Sequence, residues 1–150
     1  MIVLLVLLIS FAVSCGIFEM INGNPEYLSS GNIAMCLMLC FTAIGHFRFS
    51  DGMTKMIPAI IPFKKEIVFI SGIFEILIGI CLLFPQIRYQ TGIILLLFFV
   101  SILPANIYAA KHHVDYQKGT TDGNGLKYLW FRIPTQLFLM IWVWFFAINH

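Results

Sequence analysis

The sequence predicts an all-α, polytopic membrane bundle, and three observations carry that prediction. Hydrophobic residues make up 60% of the chain and charged residues 11%, against about 25% charged in an ordinary soluble domain. Five apolar runs recur along the 150 residues, most of them near the roughly 20 residues a helix needs to cross the hydrocarbon core. The basic residues between the runs fall almost entirely on alternate connections, the pattern left when basic loops stay cytoplasmic. The expectation is one integral membrane domain, residues 1–150, multi-pass, with lipid as its surroundings.

The first run, Ile2 to about Ile21, is long enough to span. Ala12-Val-Ser-Cys15 inside it is a weak lipoprotein-type cleavage site, but the run continues well past Cys15 and lacks a charged leading region, so a retained helix is expected. Asn22-Gly-Asn-Pro-Glu26 is a turn cluster by composition. The second run, about Ile33 to Phe47, is short unless it starts near Tyr27 or continues through Phe49. Met53 to Pro62 is apolar but broken by prolines, and is expected to be interfacial or re-entrant. The third run, Ile67 to Phe84, opens on Lys64-Lys65-Glu66 and stops at Pro85. Pro85 to Gln90 makes a tight turn into the fourth run, about Thr91 to Ala110. Lys111 to Lys127 is the one hydrophilic loop, and Gly119-Thr-Thr-Asp-Gly-Asn-Gly125 within it is expected to be mobile. The fifth run is about Tyr128 to Ile148.

Charge placement supports five crossings. With all five runs across, one face collects Arg48, Lys55, Lys64, Lys65, Lys111, Lys118 and Lys127, and the other receives Arg88. The basic face is cytoplasmic, which places the N-terminus inside and the C-terminus outside. If the second run did not cross, the segregation would be lost.

Several function classes leave no trace. A net charge of +2 gives no footprint for nucleic acid, and glycine-rich phosphate loops are absent. No metal site is expected. The four cysteines, Cys15, Cys36, Cys40 and Cys81, lie in apolar segments without His or carboxylate at ligand spacing. They are expected to be buried small side chains, with thiol chemistry as the sharper alternative.

The third run carries the most informative residue. Glu75 lies about 12–14 Å deep at 1.5 Å per residue, where a carboxylate must face the bundle interior and find a partner. Ser71 and Gly79 lie one turn either side of it and Gly72 is at the i−3 position, so another helix can approach closely along that face. Ranked by depth, the candidate partners are Arg132 and Gln136 on the fifth run, then Asn106 and Tyr108 beyond Pro104 on the fourth. Thr42 and His46 end the second run. The candidate polar cluster is therefore Glu75, Arg132, Gln136, Asn106, Tyr108 and His46. Either it fixes helix packing through interhelical hydrogen bonds, or it forms a ligand or proton site. His46, near a helix end, has the simpler reading of an interfacial residue. Trp130, Trp142 and Trp144 are most simply belt anchors.

Taken together, Gly45-His46-Phe47, Met53-Thr-Lys55-Met56-Ile-Pro58 with Pro62, Ser71-Gly72-x-x-Glu75-x-x-x-Gly79-x-x-Leu82-Leu83-x-Pro85, Pro104-Ala-Asn-Ile-Tyr108 and Arg132-x-Pro134-x-Gln136 resemble the DoxX family of small bacterial membrane proteins. The matching motifs run from about Ala43 to Trp144, within a family-like four-helix core of about residues 31–148, and the first helix lies outside that core. The resemblance implies a compact antiparallel bundle. It also brings in quinone as a ligand class, because the family takes its name from a subunit associated with thiosulfate–quinone oxidation. No flavin, nicotinamide or haem-ligating pattern accompanies it, so no cofactor is evident beyond a quinone. Two functions follow as expectations: an accessory or assembly subunit of a membrane redox or stress-response complex, partnered by other redox subunits or a second copy, or a quinone-type binding protein centred on Glu75.

Overall fold

The computed structural model describes residues 2–149. The helices are α1 (Ile2–Asn22), α2 (Tyr27–Arg48), a short α3 (Ser50–Thr54), α4 (Lys64–Cys81), α5 (Arg88–Lys111) and α6 (Leu126–Val143), which runs on as a π-helical turn over Trp144–Ile148. No strand occurs among the described residues; one isolated bridge joins Asp115 and Thr120. Four helices are long and apolar enough to cross a membrane: Ile2–Asn22, Tyr27–Arg48, Arg88–Lys111 and Leu126–Ile148. The second run gains its length by starting at Tyr27, immediately after Glu26, whose carboxylate accepts hydrogen bonds from Asn22 and Ser29 across the turn. α4 is shorter, 18 residues, and carries both Lys64-Lys65-Glu66 and Glu75.

The exterior is apolar, unlike that of a soluble protein. Large apolar side chains point outward, among them Ile70, Leu97 and Ile141, each more than 60% exposed. The interior holds Asn32, Glu75, Thr91, Asn106, Thr135 and Gln136 beside Leu7, Met35, Leu39, Leu82, Leu95 and Val143. A chain that solvates its outside with lipid has no use for an apolar-in, polar-out pattern, and each helix closes its own backbone hydrogen bonds.

α2 is the central element, packed against α1 on one side and α4 on another, with α6 and its π turn closing the bundle. α4 runs antiparallel to α2: Gly79 meets Cys36, Glu75 meets Thr42 and Gly72 meets His46. The approach is close because both contact glycines lack a side chain. A Cβ on Gly72 would lie 2.9 Å from the His46 Cβ, and one on Gly79 would lie 3.4 Å from the Cys36 Cα.

The far end of α2 is clasped by the π turn. Asn32 donates to the Phe146 carbonyl, one of the last-turn carbonyls left without an intrahelical partner, at 2.8 Å while donating to Leu28 O at 2.8 Å. Trp142 Nε1 donates to the Gly31 carbonyl at 3.1 Å. Its ring packs edge-on to Phe11, centroids 5.2 Å apart, and against Phe146 at 4.7 Å. Trp142 is therefore an interior clasp and not a belt anchor, because its N–H is held by a backbone oxygen of α2. Trp130 and Trp144 are exposed, the position expected of anchors.

At the opposite end, the two long connections fold onto each other. Met53 to Pro62, expected to be interfacial or re-entrant, completes α3 and then turns, with Ile60 exposed. Hydrogen bonds surround Gly119–Gly125, the stretch expected to be mobile. Lys55 donates to Gly119 O, Gly123 N–H donates to His113 O, and the Asp115 carboxylate accepts from the N–H groups of Gln117 and Lys118. Gly52 lies so tightly against the Tyr116 carbonyl that any Cβ there would collide with it. Asp51 and Lys65 form an exposed ion pair at 2.8 Å, and the lysine holds the Asp51 carboxyl below the usual range. Such surface pairs contribute little and are screened by salt.

Candidate functional site

Glu75 is 5% exposed, and its partners come from α2. Thr42 Oγ1 is 3.0 Å from Glu75 Oε2 and donates to it or to Leu39 O, 2.9 Å away. His46 Nε2 is 3.4 Å from Glu75 Oε1, an ion pair whenever the imidazole is protonated. On the other side of the ring, His46 Nδ1 is 2.8 Å from Ser71 Oγ and 3.2 Å from Val68 O. Ser71 Oγ also reaches Val68 O at 2.8 Å. The result is a continuous polar strip, Leu39 O–Thr42–Glu75–His46–Ser71–Val68 O, running between two helices.

Local sequence explains the strip. Thr42 and His46 are one turn apart on α2, and Ser71 and Glu75 are one turn apart on α4. Residues at that spacing share a helix face, so two antiparallel helices interleave the pairs. Gly72 removes the side chain that would hold His46 away.

The candidate cluster divides into separate groups. Glu75 and His46 belong to the strip between α2 and α4. Asn106 and Gln136 are both buried and meet between α5 and α6, with Asn106 Nδ2 donating to Gln136 Oε1 at 3.4 Å. Gln136 Nε2 in turn donates to Phe99 O, in the turn of α5 before Pro104. That proline has no N–H, so α5 needs polar support near it. Arg132 lies over the Tyr128 ring, 5.9 Å to the centroid, and is not within ion-pair distance of Glu75. Tyr108 stacks on His112 at 4.0 Å, at the loop end of α5. Depth was a poor guide because the helix adjacent to Glu75 is α2 and not α6.

Three residues outside the candidate set prove structurally central: Thr42, Ser71 and Asn32. The matching i, i+4 pairs Thr42/His46 and Ser71/Glu75 were a readable signal for the first two. Asn32 in an otherwise apolar turn was a readable signal for the third.

Two surface grooves lie on the bundle. One, of about 490 Å³, is lined by Glu26, Tyr27, Leu28, Ser29, Phe145 and Phe146. The other, of about 380 Å³, lies between α1 and α2 against residues such as Ser14 and Leu37. Neither touches Glu75, His46, Asn106 or Gln136. No group of three or more metal-ligating side chains occurs among the described residues, and all four cysteines are free thiols.

These features define a class: an all-helical bundle with four helices suited to a membrane and a polar strip enclosed between two of its helices. Residues 35–147 match the family described as a domain of unknown function, DUF8561, and the chain belongs to that family. The match takes in most of α2 and everything from there to Ala147 in the π turn, and leaves α1 outside. No curated protein and no solved structure matches the chain.

Proposed function

We propose that this protein is an accessory or assembly subunit of a redox or stress-response complex in a bacterial cytoplasmic membrane, as its DoxX-like motifs suggest, and that it crosses that membrane five times with the N-terminus inside. The observation behind the accessory role is where the Glu75 carboxyl points. Both oxygens face α2, toward Thr42 and His46, and neither groove reaches them. A quinone head group in contact with Glu75 would need the strip to part. In this reading the strip holds α2 and α4 together, and the apolar exterior meets lipid and partner helices.

Five crossings are favoured by packing. α4 lies antiparallel along α2 from Gly72 to Gly79, so a membrane that contains α2 contains α4 at the same depth. Its 18 residues measure about 27 Å at 1.5 Å per residue, close to the ~30 Å core. The orientation is favoured by the contact of Lys55 with Gly119, which draws both basic connections to one face.

A periplasmic-type reporter fused after Asn149 is expected to be active and a cytoplasmic-type reporter silent; the reverse would refute the five-span topology. Purification from native membranes in gentle detergent is expected to bring redox subunits at fixed stoichiometry. A lone species that binds quinone, with affinity lost in Glu75→Gln, would replace the accessory reading with a ligand site at Glu75.

A further inference from the structure

We infer that the Thr42–Glu75–His46–Ser71 strip is a reversible proton-binding site, built to take up and release one proton without leaving a buried polar atom unpaired. The inference goes beyond the accessory role and needs no cavity, because its ligand is a proton.

The geometry allows three arrangements. In the first, Glu75 is a carboxylate and His46 an imidazolium. Nε2–H donates to Glu75 Oε1, Nδ1–H donates to Val68 O, and Thr42 donates to Glu75 Oε2. In the second, the proton between the pair sits on Glu75 Oε1, which donates to a bare Nε2, while Nδ1–H still donates to Val68 O. These two hold the same number of protons and differ only in which side of the 3.4 Å gap carries one. In the third, one proton has left. Glu75 is a carboxylate, Nε2–H donates to it, and Nδ1 is bare. Ser71 then turns its hydroxyl hydrogen from Val68 O to Nδ1; both acceptors are 2.8 Å away. Thr42 has the same freedom between Leu39 O and Glu75 Oε2.

Two hydroxyls, each with two acceptors in reach, are what a site needs to change protonation in a low-dielectric interior, where an unpaired polar atom is costly. The balance is simple. Release breaks one N–H bond at Nδ1, the proton passes to water at the basic face, and the strip changes from neutral to singly negative. The His46 side chain is 17% exposed and sits in the last turn of α2, so the exit is short.

Charged neighbours set the cost of the released form. Arg132 of α6 acts electrostatically on His46, and Arg48 follows His46 on α2. Lys64 donates to Ile57 O and Lys65 pairs with Asp51, so the α4 lysines are engaged with the loop. α5 brings no charged side chain between Arg88 and Lys111, and the one charged residue of α1, Glu19, is exposed.

The test is nitrogen-15 NMR of histidine-labelled full-length protein in lipid nanodiscs, scanned from acid to alkaline pH. His46 is expected to lose the proton at Nδ1 and keep or gain one at Nε2, the neutral tautomer a free histidine also favours, so the response to Ser71→Ala is what distinguishes the strip. Ser71→Ala, which removes the donor to bare Nδ1, is expected to move the midpoint to higher pH, with proton affinity raised about tenfold. A His46 signal that holds one protonation state across the whole pH scan would overturn the proposal, as would a midpoint unmoved by Ser71→Ala.

Discussion

His46→Leu is expected to destabilise the bundle by about 3 kcal/mol, the lower end of what breaking one side of a buried pair costs. The substitution takes away the Nε2 partner of Glu75 Oε1 and leaves a carboxyl with only Thr42 on its other oxygen. Taking up a proton from solvent limits the damage, because a neutral acid is cheaper to bury than a carboxylate. Adding Glu75→Leu to the same chain is expected to restore most of the lost stability, since an apolar pair of similar volume needs no partner. The single changes and the double change form a cycle, read by unfolding in bicelles. The expected coupling is about 1–3 kcal/mol. Additive effects would show that the two side chains do not support each other.

Gly31→Ala is the second large effect, at about 2–3 kcal/mol from overpacking. Its methyl group would collide with the root of the Phe146 ring, which cannot move aside without carrying the π turn with it. Asn32 donates to Phe146 O in that turn, and Trp142, just before it, donates to the carbonyl of Gly31 itself. The expected signature is a changed Trp142 environment, seen as lost near-ultraviolet dichroism, together with reduced thermal stability in detergent. Gly16→Ala makes a suitable control, because nothing lies near its added Cβ. Equal behaviour of the two variants would remove the clasp from this account.

The helices were legible because lipid imposes a simple demand, apolar length with internally satisfied backbone. The apolar runs mark helix positions to within a turn for α1, α5 and α6. α2 was harder, since its first turn, Tyr27 to Ser30, is polar enough to read as loop. The face of α4 was also legible: Ser71, Gly72, Glu75 and Gly79 all point to a neighbouring helix. Which neighbour was not legible. Helix depth follows from counting residues, but lateral adjacency depends on the packing of the whole bundle. Gln136 has a suitable depth and points instead at Phe99 O and Asn106. The π turn was invisible because it has no composition of its own; it is stabilised by Asn32, far away in sequence.

The strip also changes how the cysteines are regarded. Cys36 lies against Gly79 and is buried, so it serves as a small packing residue at the α2–α4 contact. Its partner glycine and the Gly72–His46 contact fix the two ends of the segment that encloses Glu75.

The central claim is that Glu75 of α4 is paired with His46 of α2 inside the bundle. Solid-state NMR on the protein in bilayers, labelled with carbon-13 at glutamate carboxyls and nitrogen-15 in histidine rings, measures this contact directly. The structure predicts strong dipolar dephasing between the Glu75 carboxyl carbon and His46 Nε2, whose nitrogen lies 3.4 Å from Oε1, and loss of that dephasing in Glu75→Gln made without the carboxyl label. Dephasing of Glu75 by no histidine, in a protein that is otherwise folded, would contradict it.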